Sequence, residues 1–228
     1  MTTGHNHPAG HRHEPEPHGD VVMDAGFWDE RYLSSPALWS GRPNAHLVTE
    51  AADLAPGVAL DVGCGEGADA IWLAERGWQV SALDISSVAL QRGAARALEA
   101  GADVAARITW VRADLTDWVP PAASFDLVSA QFMHLPPDQR RPLHRRLAES
   151  VAPGGTLLIV GHHFSDLQTD VPRPAAPELY FTASDIAASL PSEEWVIVVD
   201  EARARSTLDP GGATATIHDA VLRAQRTG

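Results

Sequence analysis

The 228-residue sequence contains no lysine and only one cysteine, Cys64. Without lysine, the chain has no Schiff-base nucleophile, no pyridoxal phosphate anchor and no P-loop lysine. A lone cysteine cannot form an internal disulfide, which favours a reducing, cytoplasmic location. No stretch approaches the roughly 18 apolar residues of a membrane span. The first residues also lack the apolar core of a secretory signal. We therefore expect a cytoplasmic protein that does not enter a membrane.

Basic residues are few compared with acidic ones. The 17 basic residues, all arginine, stand against 30 acidic residues, and the formal net charge is −13. A nucleic-acid surface needs basic groups that neutralise phosphates. We therefore expect a small-molecule substrate rather than a nucleic acid, while the oligomeric state stays open. A cluster of arginines at 140, 141, 145 and 146 is interpreted as a solvated helix face.

The first 19 residues are rich in histidine and proline and have no hydrophobic periodicity, so we predict a disordered tail. Neutral imidazoles bind zinc, nickel or copper, and weak, adaptable metal binding is a candidate property of this tail. Its irregular spacing argues against a structural zinc site, and a solvated tail without function is the alternative. The candidate ligands are His5, His7, His11, His13 and His18.

The remaining residues, 20–228, predict one α/β domain, with N-terminal helices in 20–55 and a core in 56–228. Apolar runs predict strands at 58–62, 79–83, 108–111, 125–130 and 156–160, and helical segments alternate with them. This alternation is typical of a doubly wound, mostly parallel sheet. A Pro-Gly-Gly turn at 210–212 separates two further strands, 195–199 and 214–222, which predicts a C-terminal antiparallel hairpin.

A glycine-rich loop joins the first predicted strand to the next helix, in the sequence Asp61-Val-Gly63-Cys-Gly65-Glu-Gly67. Gly63 and Gly65 have no Cβ, so a ligand can approach the backbone closely. The helix N-terminus beyond them offers free N–H groups to an anion, either the carboxylate of S-adenosylmethionine (SAM) or a dinucleotide pyrophosphate. Because the loop also satisfies the dinucleotide pattern G-x-G-x-x-G/A, it leaves both cofactors open.

Acidic residues at the ends of three successive predicted strands separate these alternatives. Asp61 lies inside the end of the first strand, where a carboxylate needs a partner such as an ammonium group. Asp84 ends the second strand, where a carboxylate can accept both ribose hydroxyls. Asp114 ends the third, where it can accept a hydrogen bond from an adenine amino group. The three together favour SAM, since Asp114 would have no function in a nicotinamide enzyme.

These segments resemble the motifs of class I SAM-dependent methyltransferases. The glycine loop matches their first motif, Asp84 their ribose acid, Asp114-Leu115 their adenine motif and 151–157 their late Pro-Gly-Gly turn. The resemblance covers roughly residues 57–163. It implies a Rossmann-like methyltransferase fold whose seven-stranded sheet has the order 3-2-1-4-5-7-6, which agrees with the predicted hairpin. It also implies SAM as the cofactor.

The N-terminal segments 27–32 and 39–44 are similar to the lid of small-molecule methyltransferases of the tellurite-resistance and thiopurine type. This resemblance places Trp39 and Arg42 near the methionine end of SAM. The alternative is a packing helix whose aromatic side chains fill the core. The predicted cofactor contacts are Trp39, Arg42, Asp61, Gly63, Gly65, Asp84, Ile85, Asp114, Leu115 and Gln131.

The methyl acceptor stays open, with a thiol, a chalcogen oxyanion or a phenol as candidates. No Asn-Pro-Pro-Tyr or Asp-Pro-Pro-Tyr tetrapeptide follows the fourth strand, which argues against amino methylation of bases or glutamine. A base is needed only if the acceptor carries a proton that must leave. His134, His162 and His163 follow strands four and five at the edge where ligands bind in this architecture, so they are the predicted catalytic residues.

Two other functions use the same sequence features. A nicotinamide-dependent oxidoreductase would use the same glycine loop, but the sequence has no evident second nucleotide-binding half. A non-enzymatic metal-handling protein would depend on the histidine tail and not on Asp84.

Overall fold

The computed structural model describes residues 23–36, 38–133, 135–171 and 176–228. The predicted tail, its five candidate metal ligands and His134 lie outside these residues. The chain begins with two helices, α1 Ala25–Leu33 and α2 Ala45–Ala51, followed by alternating strands and helices. These are β1 Val58–Val62, α3 Ala68–Glu75, β2 Gln79–Asp84, α4 Ser87–Ala100, α5 Ala102–Ala105, β3 Ile108–Arg112, β4 Phe125–Gln131, α6 Pro137–Ser150, β5 Val151–His162, 3-10 turns at Phe164–Gln168 and Pro177–Leu179, α7 Ala183–Ala187, β6 Trp195–Leu208 and β7 Thr214–Arg226.

The seven strands form one sheet in the order β3-β2-β1-β4-β5-β7-β6. The first five strands pair in parallel, whereas β7 is antiparallel to both β5 and β6. The predicted fold class, strand order and C-terminal hairpin are therefore confirmed. None of the described helices is long and apolar enough to cross a bilayer.

Hydrophobic side chains from both faces of the sheet form two cores. On β5, Leu157 and Ile159 pack into one core, and Leu158 and Val160 pack into the other. Successive side chains of a strand point to opposite faces, so a strand covered on both sides reads as a continuous apolar run. This burial explains why the central strands were predictable from short apolar segments.

The C-terminal hairpin is longer than the sequence indicated. The predicted strands 195–199 and 214–222 are β6 Trp195–Leu208 and β7 Thr214–Arg226 in the structure. Pairing of β5 with β7 ends at His162 opposite Asp219, whereas β6 pairs with β7 as far as Leu208 opposite Thr214. The distal half of the hairpin thus projects beyond β5. Its strands carry charged side chains, which is why apolar patterning ended the prediction early.

The arginine cluster of α6 is not uniformly solvated, as the sequence had suggested. Arg140 is only 9% exposed; its Nη1 donates hydrogen bonds to the carbonyl oxygens of Leu135 and Glu178, and its guanidinium lies over Phe181. Arg146 donates to the carbonyl oxygen of Leu115 at 2.7 Å. These carbonyl groups lie in loops that the helical pattern alone does not bring near. The prediction is wrong for Arg140.

A tight contact between β3 and α4 predicts the effect of one substitution. A Cβ on Gly93 would lie 2.6 Å from ring atoms of Trp110, which also packs against Gly67. Gly93→Ala should improve helix propensity by about 1 kcal/mol, but overpacking costs about 1–3 kcal/mol. We expect the cost of the steric overlap to exceed the gain in helix propensity, so the variant should unfold at a lower urea concentration than the wild type.

The explanation for the Gly93→Ala effect can be tested with a second variant and a control. Trp110→Phe removes the colliding ring atoms, so the loss caused by Gly93→Ala should be smaller in that background. Gln91→Ala, at an exposed site of the same helix, should leave the urea midpoint nearly unchanged. An equal or higher midpoint for Gly93→Ala in the wild-type background would show that Trp110 moves aside without cost.

Candidate cofactor and acceptor site

The glycine loop between β1 and α3 has left-handed backbone at each of its glycines. The φ angles of Gly63, Gly65 and Gly67 are +69°, +52° and +78°, which residues with a Cβ rarely adopt. A Cβ on Gly63 would overlap the sulfur of Met133, and one on Gly65 would lie 2.9 Å from the hydroxyl of Tyr32. The loop therefore needs glycine both for its turn and for close approach by the chain's own side chains.

Asp84 at the end of β2 holds this loop in place. Its Oδ2 accepts a hydrogen bond from the Gly65 amide at 2.8 Å, and its Oδ1 accepts one from the Ser86 amide at 2.9 Å. Burial raises the pKa of Asp84, and backbone hydrogen bonds from Ser86, Gly65 and Ile85 oppose the rise. Each carboxylate oxygen has two acceptor positions, so the group retains capacity for a hydrogen bond from a ligand hydroxyl.

Two more carboxyl groups lie beside the loop. Asp61 is 2% exposed, and its Oδ2 makes no hydrogen bond to any described residue. Burial, followed by the charges of Asp69 and Asp84, raises the pKa of Asp61 well above its usual value. Burial also raises the pKa of Asp69 to about 6, although the carboxylate accepts a hydrogen bond from the Asn44 amide at 2.6 Å. A cation near Asp61 would relieve this accumulation of buried acid.

A cavity of about 380 Å³ continues the site past the end of β2 toward β3. Asp114 is exposed at its wall, where its Oδ1 accepts hydrogen bonds from the amide and hydroxyl of Thr116. Leu115 is buried in the core, so only its backbone can face a ligand. The cavity is lined by Asp24, Ala25, Gly26, Ile85, Arg112, Ala113 and Asp114.

Helix α1 covers the site and is anchored to α4. Asp29 accepts hydrogen bonds from the hydroxyl of Ser86 at 2.6 Å and from the amide of Val88 at 3.2 Å. Trp39, beyond the helix, donates from Nε1 to the Tyr32 hydroxyl at 3.0 Å, and both side chains lie at Gly65. Arg42 is exposed in the same loop, and no hydrogen bond or ion pair joins its guanidinium to a described residue.

Side chains at the end of β4 contact both the glycine loop and the end of the neighbouring strand β5. Gln131 donates from Nε2 to Ser129 Oγ, while its buried Oε1 has no hydrogen-bond partner among the described residues. Phe132 has a left-handed φ of +54°. Its ring packs on His162, with centroids 5.0 Å apart, and the next side chain, Met133, lies on Gly63.

The predicted catalytic histidines have different surroundings. His162 is 7% exposed at the end of β5, between the rings of Phe132 and Tyr180. His163 caps the following 3-10 turn, and its Nδ1 lies 3.0 Å from the hydroxyl of Ser165, which also contacts His218 at 3.1 Å. The structure therefore places His162 in an aromatic wall and His163 in a cap.

Three polar residues beside His162 were missed by the sequence reasoning. Asp219 on β7 is 1% exposed and lies opposite His162 in the strand register. Its Oδ2 accepts hydrogen bonds from Arg205 Nε at 2.6 Å and from His46 Nε2 at 3.0 Å. These residues come from α2, β6 and β7, so only the pairing register and the placement of α2 bring them together.

The raised pKa of Asp69 predicts a pH-dependent stability. In unfolded chain an Asp titrates near 3.8, so between about pH 4 and 6 the native protein binds more protons at Asp69 than the unfolded chain does. The free energy of unfolding should therefore fall as pH rises through that window. Asp69→Asn keeps an oxygen for the Asn44 amide and does not titrate, so it should flatten the fall in urea unfolding measured across the window.

Asp61, whose pKa is raised in the same direction, remains in Asp69→Asn. The decisive quantity is therefore the difference between the slopes of the wild type and the variant. Asp103→Asn, at an exposed site of α5, should reproduce the wild-type slope. Parallel slopes for wild type and Asp69→Asn would refute the assignment of a raised pKa to Asp69.

Comparison with known proteins identifies the fold and its central domain. Residues 59–155 match a family model described as a methyltransferase domain. The chain is 30% identical over 142 residues to a 2-heptyl-1-hydroxyquinolin-4(1H)-one methyltransferase of Mycobacteroides abscessus, covering 58% of this chain and 61% of that protein. It is 31% identical over 140 residues to a probable thiol methyltransferase of Arabidopsis thaliana, covering 59% and 60%. The chain thus spans less than two thirds of the length of these curated relatives.

A solved structure shows the same architecture. The N-methyltransferase NodS of Bradyrhizobium japonicum, in complex with S-adenosyl-L-homocysteine, has a TM-score of 0.66 and 18% identity, covering 90% of this chain and 100% of that one. At this identity the likeness concerns the fold. Together with the strand order, it confirms the fold implied by the motifs: residues 59–155 match a methyltransferase domain, and the chain has the fold of the class I SAM-dependent methyltransferases.

Proposed function

We propose that this chain binds SAM across the carboxyl ends of β1, β2 and β3 and transfers its methyl group to a small molecule that carries a thiol or an acidic hydroxyl. The observation that carries the proposal is the arrangement of Asp61, Asp84 and Asp114 along one edge of the sheet. Each presents a carboxylate oxygen with acceptor capacity to a different part of the site. A nucleoside with an attached amino acid requires this combination.

Each carboxylate suits one portion of SAM. The unpartnered Oδ2 of Asp61 suits the ammonium group, reached directly or through water, since a buried carboxylate gains most from a cation. Asp84 suits the ribose hydroxyls through the acceptor positions that the loop amides leave available. Asp114, with Ile85 in the same cavity wall, suits the adenine ring and its amino group.

SAM supplies an activated methyl group on a sulfonium, so the protein's tasks are alignment and exclusion of water. Tyr32 and Trp39 cover the loop at Gly65, and Met133 covers it at Gly63. Asp29 holds α1 against α4. These contacts would keep the lid over the cofactor edge.

The acceptor side is mainly aromatic. Phe132 and Tyr180 flank His162, and Phe164, which is 42% exposed, packs toward Tyr180 with centroids 6.4 Å apart. Such a wall favours an apolar or aromatic acceptor over a small, strongly hydrated chalcogen oxyanion. Relatives named for a hydroxyquinolone and for thiols support the same choice.

The C-terminal topology disfavours the nicotinamide alternative. A dinucleotide fold continues into a second parallel nucleotide-binding half. Here β5 is followed by an antiparallel hairpin whose strand β7 inserts between β5 and β6. The metal-handling alternative depends on the tail outside the described residues, so it stays a separate prediction, as does the cytoplasmic location.

Asp84→Asn should weaken binding of S-adenosylhomocysteine by about 10- to 100-fold. The substitution removes the charge from hydrogen bonds to the ribose, and charge-assisted bonds contribute about 1.5–3 kcal/mol. Calorimetry measures the affinity, and Asp117→Asn, at an exposed site nearby, is the control. Equal affinity in a folded Asp84→Asn protein would remove the ribose assignment.

The activity itself is tested with a panel of aryl thiols, phenols, selenite and tellurite, using formation of S-adenosylhomocysteine as the readout. We expect turnover of aryl thiols or phenols by the wild type and strongly reduced turnover at subsaturating SAM by Asp84→Asn. Binding of NADH but not of S-adenosylhomocysteine would support the oxidoreductase instead. Turnover confined to the oxyanions would contradict the proposed acceptor class.

A further inference from the structure

We propose that His46 is the general base for a protonated acceptor and that Asp219 positions it. The inference rests on the proposed methyl transfer and assigns a residue of α2 to the acceptor half of the site. The observation that carries it is a buried carboxylate bonded to one ring nitrogen of a histidine whose other nitrogen is unengaged, next to the aromatic wall.

The helix that carries His46 begins at a hydrogen bond to the carboxyl groups beside the glycine loop. Two residues before His46, the Asn44 amide donates to Asp69, whose charge acts on the neighbouring Asp61. The side chain of Asn44 also accepts a hydrogen bond from the His46 amide at 2.9 Å. The start of α2 is therefore tied to the carboxyl pair expected to face the ammonium group.

The other side of His46 reaches the aromatic wall. Asp219, bonded to His46 Nε2, lies opposite His162 in the β5–β7 register. His162 packs on the ring of Phe132. The residue after Phe132 is Met133, whose side chain covers Gly63. His46 is thus linked through Asp219 to His162 and to the surface proposed to bind the acceptor.

The hydrogen bonds of Asp219 set the tautomer of His46. Burial would raise the pKa of Asp219, but hydrogen bonds from His46 and Arg205 outweigh it and lower the pKa. An ionised carboxylate only accepts hydrogen bonds, so the proton of a neutral His46 lies on Nε2. Nδ1 is then left with its lone pair, and it makes no hydrogen bond to a described residue. This is the arrangement that a base oriented by a carboxylate requires.

Asp219 can still accept hydrogen bonds after making these contacts. Its Oδ1 is buried and makes no hydrogen bond to any described residue; the ring nitrogen Nδ1 of His162 is 4.0 Å away. Other charges facing His46 are Arg205 from β6, which shares the carboxylate, and His162 from β5. Glu50, one turn along α2, is already paired with Arg203 and Arg223. A positive charge formed on His46 is therefore balanced chiefly by Asp219.

The proposed step balances without a further reactant. The acceptor heteroatom bonds to the methyl carbon as the carbon–sulfur bond breaks, and the electron pair of that bond stays on the sulfur, which becomes neutral. The acceptor proton moves to His46 Nδ1, and the resulting imidazolium lies against the Asp219 carboxylate. Release of this proton to water restores the neutral ring.

A purely structural contact, joining α2 to the hairpin, is the competing explanation. His46→Gln separates the two because its amide can still donate to Asp219 but cannot accept a proton at neutral pH. The two probes are para-cresol, which keeps its proton at neutral pH, and para-nitrothiophenol, which is largely a thiolate. Only the first needs a base.

We expect His46→Gln to lower kcat on para-cresol by about 10²- to 10⁴-fold, with much less effect on para-nitrothiophenol and none on the affinity for S-adenosylhomocysteine. Asp219→Asn should lower kcat on para-cresol in the same selective way. Thr49→Ala, on the exposed face of α2, should match the wild type. Equal losses on both probes, or none on either, would overturn the role of His46.

The tautomer is read independently of turnover by nitrogen–proton NMR of histidine-labelled protein, with His46 assigned by the His46→Gln variant. A neutral ring with its proton on Nε2, lost or shifted in Asp219→Asn, supports the proposal, and a proton on Nδ1 overturns it. If the wild type binds S-adenosylhomocysteine but methylates neither probe, the proposed acceptor class fails. The NMR result still decides whether Asp219 positions His46.

Discussion

The hydrogen bond from the Gly65 amide to Asp84 is the contact on which the site depends. It joins the glycine loop after β1 to the end of β2 at 2.8 Å, and a backbone bond from Cys64 to Leu83, also 2.8 Å, reinforces it. Because the carboxylate is buried, the amides of Gly65 and Ser86 replace the water that it loses. The same group thereby shapes the loop and remains available to a ligand hydroxyl, so loop geometry and ligand recognition are coupled through one side chain.

Glycine in this loop has a broader physical role than ligand access. From the sequence alone, the missing side chains were expected to allow a cofactor to approach the backbone. In the structure, each glycine is also approached by a side chain from another element: Met133 at Gly63, Tyr32 at Gly65 and Trp110 at Gly67. Helix α1, the end of β4 and strand β3 therefore converge on the loop. A substitution there would disturb several elements at once, even with no ligand bound.

The positions that form the proposed cofactor half were easier to predict than those of the proposed acceptor half, for a physical reason. Asp61 and Asp84 lie at the ends of apolar strands, and in a parallel sheet the carboxyl ends of such strands meet at one edge. Asp219 lies on an antiparallel strand whose register with His162 no local pattern reveals, and His46 belongs to a short helix before the sheet. Asp219, His162 and His46 come together only through the pairing of β5 with β7 and the packing of α2, which join distant parts of the chain.

The length of the hairpin was missed for a related reason, because ion pairs such as Arg205 with Asp219 stabilise strands that lack apolar alternation.

This division of the site separates two kinds of change. The proposed cofactor edge contains glycines and the carboxylate of Asp84, which also fix the loop, so a change at these residues alters the turn itself. The proposed acceptor half combines the aromatic wall with polar side chains on α2 and the C-terminal hairpin, which meet chiefly at Asp219 and the ring of His162. A substitution in this half can change which acceptors fit, or which group takes the acceptor's proton, while the loop geometry set by Asp84 stays intact.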